Sequence, residues 1–241
     1  MVVLGVILAR AGSKGLPDKC VRELLGRPMI AYTFDHVRAS RRLTDAVLTT
    51  DSESAKHLAR EAGIRIVDRP AELATDEATV DAAARHAVEA WERTRESPVD
   101  IVVLLYANIP VRSAGLMDRA VDHLIATGAD SVRSVARVTK QHPDWIHRLE
   151  GDRLMPFRPN SVYRRQDLEA LYYHDGAAVA VRRKALFDAL KWPEDKQAFW
   201  GKDRRAIVQR ADESVDVDEP IDLMLAEAVL RARRKVDHDG H

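Results

Sequence analysis

Two short segments at opposite ends of the chain hold the residue types that chemistry needs. The first, LARAGSKGLPDK at residues 8–19, sets Gly12 and Gly15 among Arg10, Lys14 and Lys19, directly behind an apolar run. Glycines let backbone N–H groups approach an anion closely, and three cations in one loop suit a polyphosphate better than a lone carboxylate. The loop has no GxGxxG pattern and no glycine five residues ahead of a Gly-Lys-Ser/Thr, which argues against a dehydrogenase or a P-loop nucleotide hydrolase. The bland alternative is a solvated basic turn.

The second segment is ESVDVDEPIDL, residues 213–223. In extended chain alternate side chains share a face, so Asp216 and Asp218 point one way while Val215 and Val217 point toward a core. Two converging carboxylates make a hard oxygen site suited to Mg²⁺ that bridges phosphates. The alternative is that Asp218 or Glu219 caps a helix starting near Pro220, which accounts for one acid but not for the alternating pair.

Short apolar runs must position these segments. VVLGVIL (2–8), AVLTT (46–50), IRIVD (64–68) and DIVVLLYA (100–107) read as strands covered on both faces. PMIAYTFDHVRAS, SESAKHLAREAG and ATDEATVDAAARHAVEAWERT between them have helical spacing, with Ser52 as an N-cap and Gly63 just past a helix end. Alternation of this kind predicts right-handed crossovers and an α/β fold with a mainly parallel, doubly wound sheet, whose ligands sit beyond the carboxyl ends of the strands. The opening loop then occupies the first strand-to-helix crossover.

After ADSVRSVARV (129–138) the rhythm breaks. Residues 139–174, rich in His, Pro, Arg and Tyr, read as an inserted arm within a single domain spanning 1–241. Regularity returns with a strand at GAAVAVRR (176–183), a short helix near 185–190, a strand at AIVQR (206–210) and a last helix over 220–235, followed by a tail that reads as frayed.

Composition narrows the function classes. The chain has 241 residues, enough to bury a core without staples, and its 38 Lys+Arg balance 38 Asp+Glu, so no net field gathers nucleic acid or an anionic membrane. Cys20 is the only cysteine, which excludes an internal disulfide and suits a reducing compartment. No run is long enough to span a bilayer, and the opening residues lack the basic flank of a signal peptide. A cytoplasmic protein without membrane or nucleic-acid partners is expected.

The motifs, taken together and in order, resemble the acylneuraminate cytidylyltransferase family, which activates sialic acid and related acidic sugars with CTP. The family's first motif, A-R-x-G-S-K-G-x-P-x-K-N, is reproduced over residues 9–19, with Cys20 in the place of the usual Asn. TTDS (49–52), DRPAELATDEAT (68–79), RRQDL (164–168), DGAAVAV (175–181) and SVDVDEPIDL (214–223) follow in sequence. The resemblance covers essentially the whole chain and implies a fold of the nucleotide-diphospho-sugar transferase type, a homodimer with a dimerisation arm, and CTP plus Mg²⁺ as substrate and cofactor. It implies that Leu8, Ala9, Arg10, Gly12, Ser13, Lys14, Gly15, Lys19 and Thr79 bind nucleotide, that Asp216 and Asp218 hold the metal, and that Arg10, Lys19 and Asp218 are catalytic. Asp218 is then also a candidate for taking the proton of the attacking sugar hydroxyl.

Departures from the family concern the acceptor. LLYANIPVR at 104–112 stands where the family commonly reads L-L-Q-P-T-S-P-L-R, so that Tyr106, Ala107, Asn108 and Ile109 replace residues of the sugar pocket. Tyr172, Tyr173 and His174 precede Asp175-Gly176 where relatives carry an arginine-proline pair. The acceptor-binding set is therefore expected to be Tyr106, Asn108, Arg164, Arg165, Tyr173 and Asp175, the two arginines, or Arg158, taking the acceptor's carboxylate. The acceptor itself is expected to be a sialic, legionaminic, pseudaminic or deaminated acid, with an eight-carbon sugar acid or a phosphonate as the alternative, and a nucleotide-binding pseudoenzyme as the reading from another class. Trp145, Phe157, Tyr163 and Tyr172 in the arm suit either interface anchors or a local core. No histidine is assigned to catalysis; His36, His57, His86 and His123 read as ordinary helix positions.

Overall fold

The structure, a computed structural model, describes residues 1–12, 16, 19–95, 97–159 and 162–239, the last four by backbone alone. Its centre is a seven-stranded sheet. The strands are β1 (Val3–Leu8), β2 (Asp45–Thr50), β3 (Arg65–Asp68), β4 (Ile101–Tyr106), β5 (Ser131–Arg137), β6 (Tyr172–Arg182) and β7 (Arg204–Gln209), in the spatial order β7-β5-β6-β4-β1-β2-β3. The helices are α1 (Met29–Ala39), α2 (Glu53–Glu61), α3 (Val80–Arg95), α4 (Leu116–Thr127), α5 (Arg183–Asp188) and α6 (Pro220–Asp239).

All six residues of β1 are buried, because helices cover the sheet on both faces. Val3 and Ile7 join Ile30 and Phe34 of α1, Ala55 and Ala59 of α2 and Leu124 of α4 on one side. Leu4, Val6 and Leu8 join Ala84, Val88 and Trp91 of α3 and Leu186 of α5 on the other. The doubly wound reading is thus borne out. Ser52 Oγ accepts from the Ala55 N–H at 3.3 Å, capping α2 as its position suggests, and Gly63 follows the helix with φ +69°.

β1, β2 and β3 run parallel side by side, each displaced outward from the last. The next strand, β4, returns to the opposite edge of β1 and pairs with it from Val3↔Ile101 to Leu8↔Tyr106. Strand order therefore reverses between β1 and β4, and the loops leaving these strands border a crevice at their carboxyl ends.

β6 is the one strand of this sheet antiparallel to its neighbours, β4 and β5. A parallel connection usually runs through a crossover helix, and the described residues of 138–171 form no α-helix. The chain instead leaves β5 at the crevice end, forms a two-stranded hairpin (His147–Glu150 with Arg153–Pro156), and re-enters the sheet from that same end. β6 begins at Tyr172, so Tyr172, Tyr173 and His174 belong to the sheet and not to the arm. α4 is bounded at 116–127, limits that the sequence pattern left unset, and α6 extends to Asp239, beyond the end expected near Lys235.

The register of β6 shifts between His174 and Val179. Gly176 lies in that irregularity with φ +69°, and a Cβ there would meet Ile109 Cδ1 at 2.8 Å. Any Cβ at this position would be strained by the positive φ and would have to displace the tip of the Ile109 side chain. Gly176→Ala should therefore lower stability by about 2 kcal/mol, read as a lower urea midpoint with an unchanged m-value.

Candidate active site

The crevice between β1 and β4 holds a cavity of about 300 Å³. Leu8, Ala9 and Arg10 enter it from β1, Tyr106 and Asn108 from β4, Lys19 and Cys20 from the turn beyond the opening loop, and Thr79 and Val80 from the start of α3. Thr79 Oγ1 accepts from the Ala82 N–H at 3.4 Å, so the amino end of α3 opens into the cavity. Seven residues expected from sequence, Leu8, Ala9, Arg10, Lys19, Thr79, Tyr106 and Asn108, line this one space. Gly12 is exposed beside it, and Ser13, Lys14 and Gly15 lie outside the described residues.

The floor of the crevice depends on Arg112, which is 2 % exposed. Its guanidinium donates to Tyr106 O (2.7 Å), Ile109 O, Ala177 O (2.7 Å) and Thr33 Oγ1 (3.0 Å). Burial depresses its value to about 9, against the pull of the Asp216 and Asp175 carboxylates. The four bonds curl residues 106–112 into a tight loop and link it to α1 and β6. His36 Nε2 stands 3.4 Å from Pro110 O, and burial, reinforced by Arg112, holds this imidazole down at about 4, hence neutral and able to donate to that carbonyl.

That loop receives the carboxyl-terminal acids. Val111 bridges Val215 in antiparallel fashion, and the Val217 N–H donates to Asn108 O at 2.9 Å. The alternation read from SVDVDEP then holds: Val215 and Val217 are buried while Asp216 and Asp218 face outward together. Asn108 Nδ2 donates to Asp216 Oδ1 at 2.5 Å and to Asp218 Oδ1 at 3.3 Å, so the two carboxylates converge on one amide. Lys19 Nζ reaches Asp218 Oδ1 at 2.5 Å, joining segments 199 residues apart. Arg10 Nη1 is paired with Asp76 at 2.6 Å.

Asp216 is open to solvent on one side and crowded by protein on the other. That crowding, and then the negative charge of Asp218, push its carboxyl up to about 6 although Lys19 opposes the rise. Burial and a neighbouring carboxylate both disfavour the ionised form of Asp216, and a divalent cation bound between the two acids would offset both. Among the described residues no cluster of three or more His, Cys, Asp or Glu forms. Two carboxylates, Asp216 and Asp218, would suit a hard cation such as Mg²⁺, which takes few protein ligands, better than a metal held wholly by protein. The Cys20 thiol is pushed up by burial against Lys19, Arg10 and Arg69, and so is poorly suited to act as a nucleophile.

The helix cap is supplied by another acid. Asp222 Oδ2 accepts from the N–H groups of Asp218 (3.0 Å) and Glu219 (2.8 Å), a capping box reaching back over the start of α6. The carboxylate of Asp218 is left for Lys19 and Asn108.

The residues expected on the acceptor side are dispersed. Arg164 pairs with Asp167 at 2.8 Å on the exposed surface of the arm; Arg165 is exposed on the same short turn, and Tyr173 is half-exposed at the start of β6. Asp175 is buried, its carboxylate accepting from Ser134 Oγ, Gln209 Nε2 (2.7 Å) and the Ala177 N–H (3.0 Å), which ties β5, β6 and β7 together. Arg158 is held by Asp144 and, at 3.4 Å, by Glu169. His142, fully buried, bonds Glu169 O and the Asp144 N–H, a structural position. A larger groove of about 1110 Å³, between α1, α4 and α6, is lined by none of the expected site residues that the structure describes. Arg112, Asp76 and Asp222 were not singled out from sequence, and His36 was read as an ordinary, partly exposed helix position; for Asp222 alone a local signal existed, its spacing from the helix start at Pro220.

The cytidylyltransferase family matches residues 4–191. The chain is 36 % identical over 176 residues to an N-acylneuraminate cytidylyltransferase of Streptococcus agalactiae, a match covering 71 % of this chain and 41 % of that one. It is 28 % identical over 242 residues to a CMP-N,N'-diacetyllegionaminic acid synthase of Legionella pneumophila, covering 98 % and 99 % of the two chains. The chain thus spans about two-fifths of the length of the Streptococcus relatives and nearly all of the Legionella one. Among solved structures, a CMP:2-keto-3-deoxy-manno-octonic acid synthetase complexed with CTP shares the fold at a TM-score of 0.72 and 17 % identity, covering 97 % of this chain and 100 % of that one.

Two stability measurements test the local assignments. Arg112→Met leaves buried carbonyls without a donor, each costing about 1–3 kcal/mol, so it should destabilise by at least about 3 kcal/mol in urea denaturation. Asp222→Ala should cost about 1 kcal/mol through the lost cap, whereas Asp218→Ala should leave stability nearly unchanged; the reverse pattern would make Asp218 the cap.

Proposed function

The chain belongs to the cytidylyltransferase family, and from that membership we propose that it transfers CMP from CTP to an acidic sugar of the sialic, legionaminic, pseudaminic or deaminated type, releasing pyrophosphate. The observation that carries this reading is the contact of Lys19 with Asp218 above Asn108. It brings the cationic loop and the acid pair to one crevice, as a triphosphate with its counter-cation requires.

Arg10 and Lys19 grip the phosphates, together with Ser13, Lys14 and the backbone at Gly12 and Gly15, while Leu8, Ala9 and Thr79 hold the nucleoside. Before nucleotide arrives, Asp76 and Asp218 hold the two cations in place, so their side chains exchange one anion for another with little reorganisation. Asp216 and Asp218 would hold Mg²⁺, which neutralises charge on the triphosphate. The acceptor hydroxyl attacks the α-phosphorus in line; an O–P bond forms, the bond to pyrophosphate breaks, and Asp218 accepts the hydroxyl proton. Arg10 and Lys19 stabilise the charge that develops on the leaving group.

On the acceptor side Tyr106 and Asn108 border the crevice, and Tyr173, Arg164 and Arg165 complete the proposed set from β6 and the arm, while Asp175, expected from sequence in the same set, is buried and engaged in bracing β6. The departure at residues 106–109 favours, as a second reading, an eight-carbon sugar acid as acceptor with the same chemistry. The arm projects Leu149, Leu154, Phe157 and Tyr163 into solvent, between 45 % and 93 % exposed, a surface suited to a second copy of this chain, and a homodimer is proposed. No helix among the described residues is long and apolar enough to cross a membrane. A cytoplasmic location suits the lone thiol.

Incubation with CTP, Mg²⁺ and a panel of these acids should release pyrophosphate, and silence across the panel contradicts the proposal. Asp218→Ala should lower kcat by at least about a hundredfold, and Lys19→Ala should raise the KM for CTP by at least about tenfold. Unchanged CTP kinetics in the lysine variant would remove it from the triphosphate site.

A further inference from the structure

One cation near the crevice has no assigned partner. Arg133 on β5 shares a sheet face with its register partner Val179 on β6, and through it with Leu104 on β4, the face that α3 covers. Its guanidinium carbon lies 4.0 Å from the centroid of the Trp200 ring, which is itself buried. Nε of Arg133 is buried and has no hydrogen-bond partner, and no carboxylate pairs with this arginine among the described residues. Tyr106, at the edge of the nucleotide cavity, is close enough to feel its charge.

The acids and cations around it are already committed. Asp81 of α3 pairs with Arg85 at 2.6 Å, and Asp175 is saturated by Ser134, Gln209 and Ala177. Arg204 on β7 donates to Gly201 O (2.8 Å) and Gln197 O (3.1 Å), which satisfies its N–H groups without neutralising its charge. His174 completes a group whose positive members, Arg133 and Arg204, act on its imidazole against Asp175 alone. A half-buried guanidinium with an orphaned Nε–H is costly to keep, and Trp200 satisfies its face but none of its donors. A carboxylate would accept from Nε and Nη together, in the side-on geometry that arginine offers.

β4 and β5 are two strands apart and Tyr106 lies two residues beyond Leu104, the β4 position level with Arg133, so the two positions are separated by about 12 Å, with β6 between them. We propose that Arg133, stacked on Trp200, is the specificity-determining residue that receives a carboxylate of the acceptor, while Tyr106 forms the wall between that anchor and the nucleotide cavity. This rests on the transfer reading above and adds to it: the carboxylate goes to a residue of the sheet and not to the arm arginines Arg164, Arg165 and Arg158, two of which are already paired with acids.

The test is calorimetric, so that it does not depend on turnover. N-acetylneuraminic acid and 3-deoxy-manno-octulosonic acid, each as free acid and as methyl ester, are titrated into the full chain saturated with a non-hydrolysable CTP analogue. The wild-type protein should bind at least one free acid about tenfold or more tightly than its ester, the loss expected for a charge-assisted bidentate contact. Arg133→Met should abolish that preference, Arg133→Lys should retain part of it, and affinity for the CTP analogue should stay within about twofold in both. Persistence of the acid preference in Arg133→Met overturns the proposal. So does failure of both acids to bind the wild-type chain, or a parallel loss of CTP-analogue affinity. An Arg133-dependent acid preference without pyrophosphate release would sustain this inference while contradicting the transfer reading.

Discussion

A single buried guanidinium sets the geometry on which the site depends. Arg112 sits in the interior without a carboxylate in contact among the described residues, and is tolerated there because three carbonyls and a hydroxyl accept from it. Those carbonyls belong to Tyr106, Ile109 and Ala177, so one side chain fixes the exit of β4, the turn after it and the irregular stretch of β6. Its own carbonyl accepts from Arg233 of α6 at 2.8 Å, which extends the constraint to the last helix. Without this centre the turn would present converging carbonyls to one another across a dry gap.

The acid pair at the crevice is built on that turn. Its curvature aims the Asn108 amide at Asp216 and Asp218, and the main chain of Asn108 pairs with Val217, so the acids arrive in register. Lys19 closes the arrangement from the opposite end of the sequence. In electrostatic terms the crevice pairs Arg10 with Asp76 and Lys19 with Asp218, and sets beside them Asp216, whose charge burial and Asp218 disfavour. A polyanion and its counter-cation answer both conditions at once, which is why the geometry favours nucleotidyl transfer over chemistry that needs a nucleophilic side chain.

The strands and most helices were legible because burial on both faces writes itself as continuous apolar runs, and amphipathic spacing marks the covering helices. The two reactive segments were legible because glycines amid cations and acids at period two have few other uses. The direction of β6 was not, since it depends on the arm returning the chain to the end it left, a property of tertiary path and not of residues 172–182. Arg112 was hidden for a related reason: an arginine following IPV looks like a surface residue, and only the converging carbonyls show its burial. Asp175 sits in a recognisable motif, yet its hydroxyl and amide partners come from β5 and β7, far away in sequence. Asp218 and Glu219 were the candidates for the helix end, and only the hydrogen bonds show that Asp222 supplies the cap.

The central claim is that the opening loop and the carboxyl-terminal acids form one nucleotide site at the reversal of strand order. A crystal structure of the chain soaked with CTP and Mg²⁺ tests it most directly. The account predicts triphosphate density within hydrogen-bonding distance of Lys19 and Arg10, with the Lys19–Asp218 pair opened to admit it. Nucleotide density in the larger groove between α1, α4 and α6, with that pair intact, would contradict it.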